Sequence, residues 1–124
     1  MVKLTDEAKQ AIGNIRPSLV ATATRTGKPN ISIKGLLHVL DDEHVILADV
    51  ASSNLVNNIR ENGQVAIICL AVPGRKGCLV YGMGEVLESG YEFDKVAAEF
   101  NKSNIQVRNV VKVTVEEVET FYNS

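Results

Sequence analysis

Runs of β-branched and aliphatic residues, each about a strand long and bounded by turn residues, recur along most of this chain. Such a chain buries its apolar side chains most readily as an antiparallel sheet with short connections. Residues 18–25 alternate Leu19, Ala21 and Ala23 against Val20, Thr22 and Thr24, the pattern of a half-buried strand. Thr26-Gly27-Lys28-Pro29-Asn30 is turn chemistry, and residues 31–40 continue as the next strand. Asp41-Asp42-Glu43 then leads into 45–48, which predicts a three-stranded meander. Residues 64–72 and 78–87 read as strands flanking a Pro73-Gly74 loop, and 107–115 as the last strand. The tail at 115–122 is expected to fold back as a turn of helix.

Three helices interrupt this pattern. Thr5 caps an amphipathic segment with Asp6 and Glu7 in its first turn and Leu4, Ala8, Ala11, Ile12 and Ile15 on one face. Residues 52–62 form a second helix closed by Gly63, and 89–102 carry Tyr91, Val96, Ala97 and Phe100 at helical spacing. Six mostly antiparallel strands with helices at the start, middle and end predict a mainly β fold, a small six-stranded barrel with helical plugs. An open antiparallel sheet covered by helices and a ferredoxin-like sandwich are the alternatives, and the strand count argues against the sandwich. With 124 residues and 13.5 kDa the expectation is one domain over 1–124. Hydrophobic content of 45% against only 5% aromatic, without Trp, means a core of Val, Ile, Leu and Ala.

A net charge of −2 with no basic cluster disfavours nucleic acid. No apolar stretch reaches the length of a membrane span, and residues 1–16 are charged where a signal peptide would be apolar, so a cytoplasmic location is expected. Cys69 and Cys78 match no zinc spacing and make no disulfide framework. With Val72 closing against Cys78, Cys69 would face Tyr81 and the two thiols would point to opposite faces of the sheet, buried and inert. Gly82-Met83-Gly84 lacks a third glycine, Leu87 standing in its place, and reads as a bulge within a strand. His38 and His44 flank a turn without a third metal ligand, and no Ser-His-Asp or Cys-His set supports hydrolysis.

What remains is the stretch 49–62, where an apolar strand stops and a helix begins. Ser52 and Ser53 are good N-caps, and the other orphan N–H groups of that first turn face outward at the positive end of the helix dipole, which suits a phosphate. Lys34 ends the strand containing Ser32 and Ile33. If that strand neighbours 45–48, an ammonium and a helix N-terminus converge. Backbone groups at Ser32, Ile33 and Lys34 and at Leu47, Ala48 and Asp49 would then be placed to read the edges of a flat ring. Flavin mononucleotide (FMN) answers that description, and hydride transfer at a flavin needs no protein acid or base.

The succession Gly27-Lys28-Pro29-Asn30-Ile31-Ser32-Ile33-Lys34-Gly35, Val39-Leu40-Asp41-Asp42, Ala48-Asp49, Ser53-Asn54-Leu55 and Asn58-Ile59-Arg60-Glu61-Asn62 resembles the pyridoxamine 5′-phosphate oxidase-like family of FMN-binding split barrels, in particular its short members. The resemblance implies a six-stranded split barrel, a homodimer and FMN at the subunit interface. It implies that Ser32, Ile33 and Lys34 line the flavin and its phosphate and that Leu47, Ala48 and Asp49 meet the ring edge. Ser52, Ser53, Asn54, Leu55 and Asn58 would hold the phosphate and ribityl chain. Family members often carry a basic residue near Asn54, where this chain has an amide. No catalytic side chain and no metal are implied. The function expected is that of a small FMN-dependent oxidoreductase, flavin reductase or electron carrier, with a small electron donor or acceptor such as a nicotinamide nucleotide. The alternative is a non-catalytic module that stores or senses FMN, haem or a deazaflavin.

Overall fold

A computed structural model of the chain describes residues 2–15, 18–34, 37–50, 53–71, 76–102 and 104–121, with the side chains of Ser53 and Phe121 outside that description. The elements run α1 (Asp6–Asn14), β1 (Ser18–Ala23), β2 (Pro29–Lys34), β3 (Leu37–Asp41), β4 (His44–Asp49), α2 (Ser53–Glu61), β5 (Gln64–Ala71), β6 (Lys76–Leu87), α3 (Tyr91–Asn101) and β7 (Asn109–Phe121). All strand pairings are antiparallel, in the order β2-β1-β5-β6-β7-β4-β3.

Among the described residues the stretch expected as one strand at 31–40 holds two, β2 and β3, and seven strands are seen where six were expected. β2 and β3 stand at opposite ends of the strand order, yet only two residues separate Lys34 from Leu37. Three peptide steps span at most about 11 Å. The sheet must therefore curl until its two edges meet at that point, and the expected meander is instead the seam of a barrel. β1 and β2 form one wall, while β3 and β4 belong to the opposite edge.

Inside lie Val20, Leu37, Val45, Leu47, Val65, Ile67, Val80, Val111 and Val113. Leu4, Ala8 and Ile12 of the α1 segment and Leu55 and Ile59 of α2 complete this core. β4 is buried along nearly its whole length because both faces are covered: Val45 and Leu47 point into the barrel, while Ile46 and Ala48 lie under α3 with Val96, Phe93 and Phe100. Its unbroken Val-Ile-Leu-Ala run is the sequence trace of that double burial.

Two further expectations are corrected. β7 runs on to Phe121 and pairs with β6 as far as Gly77, so residues 115–121 of the segment expected to turn as helix are strand. It accommodates this through a register shift between Tyr81 and Gly82, where the strand glycine predicted to mark a bulge stands. A Cβ at Gly82 would lie 2.3 Å from the Thr114 carbonyl oxygen, so only glycine lets the two strands approach there. Second, Cys69 stands directly opposite Cys78 and not Tyr81, because the hairpin closes as Ala71 against Lys76. The two cysteines therefore share a face.

Candidate functional site

Along β2 the side chains alternate, Asn30, Ser32 and Lys34 toward the inner face and Ile31 and Ile33 outward. Register explains the first set: they sit across from Thr22, Val20 and Ser18, which are buried. The outer two are 67% and 68% exposed.

Lys34 reaches Asp49 through the seam. Leu37 pairs with Leu47, two positions before Asp49, and Lys34 stands three positions before Leu37, so the crossing from β2 to β3 brings the ammonium into the field of the Asp49 carboxylate. Asp49 is fully buried and accepts hydrogen bonds from Asn109 Nδ2 at 3.1 Å and from the Arg108 guanidinium at 3.5 Å. Lys34, 7% exposed, has its pKa lowered from 10.5, first by loss of hydration and further by the Arg108 charge, against the opposing pull of Asp49. Two cations thus surround one buried carboxylate, leaving a positive excess at the barrel seam. α2 starts at Ser53, four residues beyond Asp49, so its N-terminus lies within chain reach of this cluster.

Of the residues singled out in the sequence, Ser32, Lys34 and Asp49 fall at or beside this cluster. Ala48 follows the last β3–β4 pair, while Leu47 is paired on both sides and its side chain belongs to the core. Leu55 is also a core residue. Asn58 is buried and donates to Thr22 Oγ1 at 3.1 Å, which fixes α2 to β1. Asn54 and Asn58 line a small cleft of about 110 Å³ with Thr24, Lys28, Pro29 and Asn30. Ser52 lies outside the described residues.

Four polar residues were missed by sequence reasoning: Asn30, Lys28, Arg108 and Asn109. Lys28 brings a positive charge into the cleft that Asn54 also lines, where the chain has an amide in place of a basic residue. Arg108 and Asn109 arrive from β7 and the residue before it, about sixty positions from Asp49, and no local pattern announces them.

The cleft and the seam cluster lie near opposite ends of β2, about 13 Å apart at a strand's rise per residue. Ser32 stands midway. Among the described residues β2 pairs only with β1, so its other edge offers backbone N–H and C=O groups along this length. The arrangement can hold an elongated ligand with an anionic group and a planar hydrogen-bonding part. His38 Nε2 lies 3.0 Å from Glu99 Oε2, out of line for a hydrogen bond, and His44 Nδ1 lies 2.8 Å from Asp41. Each histidine has its own carboxylate.

A family model described as pyridoxamine 5′-phosphate oxidase matches residues 4–122. An uncharacterised protein of Methanocaldococcus jannaschii is 31% identical over 125 residues, covering 95% of this chain and 80% of its own length. An FMN-binding protein from Syntrophomonas wolfei subsp. wolfei superposes with a TM-score of 0.85 at 19% identity, covering 96% of this chain and 86% of that one. HutZ, the haem storage protein of Vibrio cholerae, superposes with a TM-score of 0.72 at 18% identity, covering 95% of this chain and 94% of its own. At those identities the two structures show a shared fold.

Proposed function

Because the chain belongs to the pyridoxamine 5′-phosphate oxidase family, we propose that its split barrel binds FMN and works as a small flavin-dependent oxidoreductase or electron carrier. The observation that carries the proposal is the buried Lys34 at the end of β2, a cation already stripped of water on a strand that among the described residues pairs along one edge only. Lys34 and Arg108 would neutralise an anionic group. Lys28, Asn30 and Asn54 line a second polar end, and Ser32 and the β2 backbone lie between the two. A bound flavin supplies the electron acceptor and donor, so the chain's own residues need only bind, orient and exclude water.

A homodimer completes this reading. Leu19, Ile31, Ile33, Leu70, Tyr81 and Met83 are exposed on the outer face of β2, β1, β5 and β6, an apolar strip that a second copy would cover. Ile31 and Ile33 alternate with Ser32 and Lys34, so a partner seated on the strip lies at the edge of the site.

The haem-storing relative in fold favours a second reading, a cofactor-holding module without turnover. Titrating the purified protein separately with FMN and with haem, followed by visible absorbance and then by NADH or NADPH consumption, separates the two. FMN uptake at micromolar concentration with turnover above free flavin is expected. Haem uptake with no FMN uptake would replace the proposal with the storage reading.

A further inference from the structure

Cys69 and Cys78 occupy directly opposed positions on β5 and β6, a pairing that puts both thiols on the inner face. Both are fully buried and reduced. Directly opposed residues of an antiparallel pair have Cα atoms about 4.5–5.5 Å apart, inside the range a disulfide bridges. The strands therefore need little movement to join the two sulfurs. Cys69 Sγ lies 3.1 Å from Ser18 Oγ, and Cys78 Sγ points at the Ala8 carbonyl oxygen of α1 at 3.8 Å.

A hydrogen bond with Cys69, followed by burial, pushes the Cys78 thiol far above its ordinary pKa, so in the closed molecule Cys78 is held as the unreactive thiol. What seals the pair is α1. This nine-residue helix near the start of the chain is held by Leu4, Ala8 and Ile12 against the core and by an ion pair from Lys9 to Asp42. A short peripheral helix is among the first elements to open in a native protein.

We propose that Cys69 and Cys78 form a dithiol modification site that oxidises to an intramolecular disulfide when α1 lifts, with a low-molecular-weight disulfide as the oxidant. One thiol loses its proton and attacks a sulfur of the oxidant, expelling one thiolate and leaving a mixed disulfide. The second thiol, held opposite, loses its proton and attacks the protein sulfur of that bond, expelling the second thiolate. The two cysteines lose two electrons and two protons, and the oxidant is reduced to two thiols. Disulfides that form in a reducing compartment are mostly transient, catalytic or redox-sensing, which is the behaviour expected of a pair that is exposed only when a helix opens.

The full chain, incubated folded with oxidised glutathione and then denatured, alkylated and weighed intact, provides the test. The expected product has lost two hydrogens, carries no glutathione and takes no alkyl group. Cys69→Ser and Cys78→Ser should each stop at a single glutathione adduct. Ala8→Gly, which weakens α1 and removes one buried methyl, should hasten oxidation about fivefold without changing the product. The proposal is overturned if the folded chain keeps both alkylatable thiols under conditions that oxidise the same chain in urea. A stable double glutathione adduct, or a rate that Ala8→Gly leaves unchanged, overturns it equally.

Discussion

Lys34 carries a charge in a place that resists charge, and this gives it two opposite pH signatures. Its pKa is lowered from 10.5 chiefly by burial, so at pH values between the lowered value and 10.5 the unfolded chain holds a proton that the folded chain has released. Folding stability should therefore rise with pH across that window, the cost of the buried ammonium being fully present below it. Urea midpoints measured through the alkaline range should show the rise, and Lys34→Met should abolish it. Anion binding runs the other way, because the ammonium that attracts the ligand is lost over the same window. Asp49 is the counterpart: fully buried, it is held by Asn109 and Arg108 beside Lys34. Asp49→Ala leaves Lys34 without its neutralising partner and should cost roughly 3–5 kcal/mol in urea denaturation. At this scale the sequence offered Lys34 and Asp49 through strand ends and turn chemistry. Arg108 stayed hidden because its role depends on the pairing of β4 with β7, which no spacing along the chain encodes.

Among the elements, legibility followed periodicity and failed where register decides. All three helices and the β5–β6 hairpin were readable from apolar spacing and turn residues. The Cys69–Cys78 pairing was misread because moving the closing pair from Val72–Cys78 to Ala71–Lys76 changes which residues face each other, and the sequence alone does not fix that register. The last strand was cut short because Glu116, Glu117 and Glu119 look like a solvated tail. In the sheet they sit on the exposed side of β7, which pairs with β6 up to Phe121. The β6–β7 contact also makes a sharp prediction. Gly82→Ala drives a methyl against the Thr114 carbonyl and the Val113 side chain, and should destabilise the fold by about 1–3 kcal/mol, seen as a lowered thermal midpoint. Gly27→Ala, whose cost is confined to an exposed turn at φ 94°, should leave the β6–β7 amides fully protected in hydrogen exchange, unlike Gly82→Ala.

For the molecule as a whole, the barrel seam and the apolar strip are consequences of one strand. The chain passes from β2 to β3 across the seam, which sets Lys34 against Asp49 and simultaneously turns Ile31 and Ile33 outward. The barrel itself was legible in the sequence as strand count and turn chemistry, but its closure was not, since a broken strand and a continuous one read alike. If a second copy covers the strip, Ile33→Lys should shift the protein from dimer to monomer in sedimentation velocity while its far-ultraviolet circular dichroism stays unchanged. The central claim is that a phosphate-bearing flavin is held through Lys34 at the edge of β2. Calorimetric titration of the wild-type chain and Lys34→Ala with FMN and with riboflavin tests it most directly. The wild type should prefer FMN, and Lys34→Ala should lose about 1–3 kcal/mol of FMN affinity while binding riboflavin as before. A wild-type chain that binds neither flavin, or a preference for FMN that survives Lys34→Ala undiminished, would contradict it.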